Sequence, residues 1–138
     1  MKVLVDTSIW SLALRRSSNF NINEVKELNE LIKEYRVIII GPIRQELLSG
    51  ISDENNYKIL KEKLKSFEDI IIESKHYELA AELSNDCRRK GIQGSHIDFL
   101  ICSVSILNKY SIFTTDKDFE KYKKYIDIQL HKVRDEIC

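Results

Sequence analysis

Proline occurs once in the 138 residues (Pro42), and glycine four times (Gly41, Gly50, Gly91, Gly94). With so few chain breakers there is no Pro/Gly/Ser-rich linker, and neither a low-complexity tract nor a solenoid repeat is visible. One domain over residues 1–138 is expected, large enough to bury a core without disulfides or a structural metal. Cysteine is also scarce: Cys87, Cys102 and Cys138 form no C-x-x-C pair, which argues against zinc and thioredoxin-like chemistry. Long apolar runs are missing. Val37 to Ile40 is a run of four, against the roughly 20 residues that a helix needs to cross a bilayer. The opening Met1-Lys2-Val3-Leu4-Val5-Asp6 meets an acid too early for a signal peptide. No membrane association is expected, and a soluble protein of a reducing compartment, the cytoplasm, is. Net charge is the last absence. Lys+Arg and Asp+Glu both number 22, which excludes nucleic-acid binding through one large positive field. A local acidic site inside a basic rim remains open.

What is present is a globular composition, 43% hydrophobic and 32% charged. Short β-branched runs alternate with longer amphipathic stretches. Val3-Leu4-Val5, Val37 to Ile40, Ile70-Ile71-Ile72 and Ser111 to Thr114 read as strands, and Ile126 to Leu130 as an edge strand. Helical periodicity links Ile22, Val25, Leu28, Leu31 and Ile32, then Leu60, Leu64 and Phe67, then Tyr77, Ala80, Ala81 and Leu83. The stretch from Phe99 to Leu107 is apolar nearly all round and is expected to be central. Such alternation predicts an α/β fold with a mainly parallel sheet.

In such sheets ligands bind beyond the carboxyl ends of the strands. Asp6-Thr7-Ser8 follows the first strand, Gln45-Glu46 lies shortly after the second, and Thr114-Thr115-Asp116-Lys117-Asp118 follows the fourth. Asp98 opens the most apolar helix. Each acid alone has an ordinary explanation. Asp6, Ser8, Thr115 and Asp116 are good helix caps, Ser95-x-x-Asp98 resembles a capping box, and Glu46 suits an exposed helix face. Together they are harder to explain, because an acid at the head of a buried helix is costly unless paired or metal-bound. Clustered carboxylates repel until a cation neutralises them. With no His or Cys cluster beside them, Mg²⁺ or Mn²⁺ suits these oxygen ligands better than Zn²⁺ or Cu²⁺. A bound divalent ion would also attract phosphates.

Four segments, in order along nearly the whole chain, are similar to the PIN-domain ribonucleases, most closely the VapC-type toxins of toxin–antitoxin modules. Val3 to Trp10 resembles the opening strand and its Asp-Thr-Asn/Ser turn. Gln45 to Ile51 resembles the glutamate helix, Ile97 to Cys102 the central Asp-x-x-Ile-Ala helix, and Thr114 to Phe119 the closing Thr-x-Asp/Asn-x-Asp-Phe signature. Ser8 stands where Asn is commoner, and Cys102-Ser103 where small alanines are usual; neither change removes a carboxylate. The resemblance implies a three-layer α/β/α domain around a short, mainly parallel sheet. It implies an Mg²⁺- or Mn²⁺-dependent endoribonuclease leaving 5′-phosphate and 3′-hydroxyl ends, with Asp6, Glu46, Asp98 and Asp116 as its catalytic and metal site. Thr7, Ser8, Thr114 and Asp118 would support that site. It further implies a VapB-like protein antitoxin and a homodimer, with the helices around Asn23 to Leu31 and Asn55 to Phe67 helping to form the groove and the dimer face.

Rival readings are narrower. A haloacid-type phosphatase needs an acid where Ser8 stands, and a receiver domain lacks its acceptor, since Glu73-Ser74 follows the third run. A catalytically silent RNA-binding or scaffolding subunit and a DNA-directed nuclease are the alternatives left. Trp10 is expected in the core or an interface rather than as a base-stacking platform, and His96 on the surface or at a helix start rather than as a base. The Lys58 to Lys65 charges are expected on a solvated face. Arg15 and Arg16 suit a helix end and RNA phosphate contact equally.

Overall fold

The computed structural model describes residues 1–14 and 22–134, so Arg15, Arg16 and Cys138 lie outside the described residues. Three strands, β1 (Val3–Val5), β2 (Val37–Ile38) and β3 (Ser111–Phe113), form a parallel sheet in the order β2-β1-β3. Val3 pairs with both Val37 and Ser111, and Val5 with Phe113. All three β1 residues are completely buried. Neighbouring strand residues point to opposite faces, so both faces of the sheet are covered, as a parallel sheet requires.

The cover is helical. α1 (Thr7–Leu14), α2 (Asn23–Lys33), α3 (Gly41–Ser49) and α4 (Glu54–Leu64) follow β1 and β2, and α5 (Ser74–Arg89) and α6 (His96–Asn108) precede β3. α2 packs on α1 and β2, α4 on α3, and α5 along α6, which itself lies against β3. α6 is buried from Phe99 to Ser105 without interruption, matching its all-round apolar sequence. Its two buried serines do not leave their hydroxyls unpaired: Ser103 Oγ donates to Leu100 O and Ser105 Oγ to Tyr110 O. Trp10 is buried edge-on to Phe67, with ring centroids 5.1 Å apart. α7 (Asp118–Lys123) follows β3 and buries Phe119 and Tyr122.

Two expected strands shrink to single bridges. Asp69 bridges Ile39 in parallel, but Ile71 is 82% exposed and α5 starts at Ser74, so the Ile70 to Ile72 run has no partner beyond one rung. On the other edge Leu130 bridges Ile112, while Ile128 N donates to Ile126 O and closes a tight turn where the edge strand was expected. The alternation there arises because Ile126 and Ile128 both plug the core from a turn.

The segment after that bridge is tied to α2 by a buried acid. Glu27, 5% exposed, accepts from His131 Nε2 at 2.5 Å and from Arg134 Nε at 2.9 Å. Arg134 also reaches Glu34 at 3.0 Å, and His131 sits edge-on to Phe113. Burial alone would raise the Glu27 pKa, but the bonds from Arg134 and His131 outweigh it and hold the carboxyl below its usual 4.5. A depressed pKa stabilises the fold above the unfolded-state value and loses that contribution as pH falls through the folded one. Glu27→Gln is expected to lower stability at neutral pH by about 1.5–3 kcal/mol, the range for hydrogen bonds to charged groups. Urea midpoints of the two proteins should draw together as the pH drops below 4.5.

Candidate active site

The chain leaves β1 directly into α1, and Asp6 occupies the junction. Its carbonyl accepts from Ile9 and Trp10 N–H and so starts the helix, while its side chain stays out of that role. Asp6 Oδ2 instead accepts from Thr114 Oγ1 at 2.7 Å and from Ser8 Oγ at 3.0 Å. Asp6 is 8% exposed, so these two hydroxyls supply solvation that water cannot. Thr114 follows β3, the strand beside β1, so the parallel pairing brings these distant residues together. The same turn continues the scaffold: Asp116 N donates to Thr114 Oγ1 and Asp118 N to Asp116 Oδ1, both at 2.9 Å. Thr115 N donates to Ser8 Oγ at 3.1 Å.

Asp98 comes from the opposite direction, in the first turn of α6. Its backbone N–H donates to Ser95 Oγ at 3.0 Å, the expected cap. Its carboxylate Oδ2 accepts from Tyr122 Oη at 2.7 Å. Glu46 sits on the exposed side of α3, whose start is set by the buried Ile40 and by Pro42.

Asp6, Glu46, Asp98 and Asp116 all line one cleft of about 710 Å³, together with Thr7, Ser8 and Ser95. No lysine, arginine or histidine is among its described lining residues. Asp118 does not line the cleft, but one carboxylate oxygen from each of Asp98, Asp116 and Asp118 lies within 4.8 Å of the others. Asp6 stands outside that tight trio. His96 is exposed at the start of α6 and lines a separate groove along α5.

Electrostatics mark Asp98. Burial pushes its carboxyl above the usual 3.8, the nearby Asp116 and Asp6 charges add to the rise, and bonds from Tyr122 and Ser95 pull against it. Burial and the bond to Asp98 likewise push the Tyr122 phenol up, so it stays a proton donor. Cys102, buried one turn along α6, has its thiol pKa raised first by burial and is an inert core residue. The donor set is all oxygen, it carries excess negative charge, and it is half-buried, which fits a hard divalent cation.

The PIN domain family model matches residues 3–125. The chain belongs to the PIN-domain family. Curated relatives extend the match: VapC ribonuclease Mb1587 of Mycobacterium bovis is 27% identical over 135 residues, covering 96% of this chain and 99% of that protein. Ribonuclease VapC11 of Mycobacterium tuberculosis shares the same 27% identity and the same coverage. Among solved structures, FitAcB from Neisseria gonorrhoeae superposes with a TM-score of 0.76 at 20% identity, over 94% of this chain and 96% of that one. VapBC2 from Rickettsia felis, bound to a DNA fragment from its promoter, gives a TM-score of 0.74 at 21% identity, over 95% and 98% of the two chains. These likenesses agree with the three-stranded parallel sheet and its helical cover.

Two residues beside this cleft escaped sequence reasoning. Tyr122 reads as one more apolar position of a short helix, and nothing in its spacing announces a bond to Asp98. Gly94 reads as a loop glycine, yet it faces the Tyr122 phenol.

A raised carboxyl pKa means that ionised Asp98 opposes folding, increasingly as pH rises above 3.8 toward its folded-state value. In metal-free protein Asp98→Asn is therefore expected to raise Tm at neutral pH, by roughly a few degrees. Thermal melts at acid pH should show that advantage disappearing once Asp98 is protonated in both states.

Proposed function

We propose that this protein is a metal-dependent endoribonuclease, the toxin of a toxin–antitoxin pair, that hydrolyses RNA phosphodiester bonds in the cleft between Asp6, Glu46, Asp98 and Asp116. The observation that carries this reading is the convergence of those acids, from four separate chain segments, on one cleft whose described lining has no cationic side chain. Membership of the PIN family, relatives named as VapC ribonucleases and similar solved chains drawn from VapBC complexes support it.

Asp6, Asp98 and Asp116 are the residues that would hold Mg²⁺ or Mn²⁺, with Glu46 completing the set and Asp118 supporting it. Such an ion, when bound, activates water and stabilises charge on a scissile phosphate. The chain's own part is to keep its carboxylates aimed and close. Ser8 and Thr114 orient Asp6, the turn from Thr114 to Asp118 orients Asp116, and Ser95 caps the helix that carries Asp98. Thr7 lines the cleft, and its buried hydroxyl has no hydrogen-bond partner among the described residues. Glu46, exposed at the rim, is suited to accept a proton from the attacking water. Water's oxygen bonds to phosphorus as the bond to the 3′ oxygen breaks, and that oxygen takes a proton from solvent, leaving a 5′-phosphate and a 3′-hydroxyl.

A VapB-like antitoxin would silence the activity, and the working unit would be a cytoplasmic homodimer. Amphipathic α2 and α4 are candidates for the antitoxin groove and the dimer face.

Antitoxin-free protein incubated with cellular RNA, and separately with single-stranded DNA, tests this directly. RNA should be cut at discrete positions with Mg²⁺ or Mn²⁺ and left whole with chelator. Asp98→Ala should slow cutting by more than the roughly 100-fold that marks the upper range for outer-shell changes at metal sites. Cutting that survives in the variant would refute the assignment. Preferential cutting of DNA would make this a DNA-directed nuclease, and no cutting of either by folded, metal-binding protein would make it a silent RNA-binding or scaffolding subunit.

A further inference from the structure

Tyr122 is completely buried on α7, the short helix whose first residue is Asp118. Its ring is wedged between Phe99 and Phe119, with centroids 5.0 Å and 5.3 Å away. A phenylalanine would fill this space without bringing a hydroxyl into the interior, where an unpaired one is costly. The hydroxyl is paired, and its partner is Asp98 Oδ2 at 2.7 Å. Room for it comes from Gly94. A Cβ on residue 94 would collide with the Tyr122 phenol oxygen and lie 2.7 Å from its Cζ and 2.9 Å from Phe99 Cε2. Gly94 has no positive φ to justify it, so the close approach of the phenol is the reason that a side chain is excluded there.

We propose that Tyr122 is a positioning residue for the divalent-cation site, its phenol fixing the Asp98 carboxylate and Gly94 admitting that phenol. This rests on the metal-site reading above. α7 thereby sets two sides of the site at once. Its first residue is Asp118, two residues after Asp116, and its fifth holds Asp98, so the three acids whose oxygens lie within 4.8 Å of one another share one mounting. Partners behind metal ligands act in this way, by fixing orientation before the ion arrives.

The test is calorimetric titration with Mn²⁺ of the full chain, wild type and variants, at a temperature where each is folded by circular dichroism. Tyr122→Phe keeps the ring and removes the oxygen. It should weaken Mn²⁺ binding about 10- to 100-fold, as outer-shell substitutions do, and excess Mn²⁺ should restore RNA cleavage toward the wild-type rate. Gly94→Ala should weaken Mn²⁺ binding by displacing the same phenol, and combining it with Tyr122→Phe should add little, because both act through one bond. Unchanged Mn²⁺ affinity in Tyr122→Phe overturns the proposal, even if Tm falls. If Tyr122→Phe binds Mn²⁺ as tightly as wild type while Asp98→Ala does not bind it, the positioning role alone is overturned and the metal site stands. Wild type that binds no Mn²⁺ overturns the metal site and the positioning role together.

Discussion

Carboxylates gathered in a half-buried cleft repel one another, and the rest of the molecule must hold them there against that repulsion. Asp98 carries the sign of it: burial lifts its pKa, and the charges of Asp116 and Asp6 lift it further. The device that resists is a set of neutral donors. Hydroxyls of Ser8 and Thr114 solvate Asp6, a backbone N–H caps Asp116, and the Tyr122 phenol holds Asp98. Neutral donors reduce the cost of each charge without cancelling it. A lysine in the same positions would quench the negative field that attracts a cation.

Parallel pairing is what makes such a gathering possible in so short a chain. Because β1, β2 and β3 run the same way, every connection returns through a helix, and each strand's end delivers a new loop or helix start to one edge. Asp6 and the Thr114 to Asp116 turn become neighbours through the β1–β3 register, Val5 to Phe113. α6 adds Asp98 by pointing its first turn at that edge, with its apolar body buried behind it. Removing the helical return, and not any one side chain, would scatter the site.

Much of this was legible in the residues. Short apolar runs gave away β1, β2 and β3, and the all-round apolar stretch from Phe99 gave away the central helix. Asp6 and Asp116 stand just beyond strand ends and Glu46 on the helix after β2, a placement that spacing reveals. Less legible were the edges. Ile70 to Ile72 and Ile126 to Leu130 have strand composition, but a strand exists only where a neighbour offers a full ladder, and each edge offers one rung. Tyr122 was hidden for a similar reason. Its chemistry depends on a contact across 24 residues and on the missing side chain of Gly94, neither of which has a local signature.

Glu27 and Asp98 show how environment separates an architectural carboxylate from a chemical one. Glu27 is nearly inaccessible, yet Arg134 and His131 meet it directly and hold its pKa down. Its charge is used in fastening α2 to the segment after Leu130, and nothing is left over to recruit a ligand. Asp98 receives a phenol and a serine hydroxyl but no cation among the described residues, and its pKa stays up. That residual imbalance is a local cost to folding, and under the proposed function it would favour a divalent ion. Both acids are drawn in from solvent and both are hydrogen-bonded, so burial and bonding alone do not distinguish them. What separates them is whether the protein supplies the counter-charge itself or leaves it to be supplied from solution.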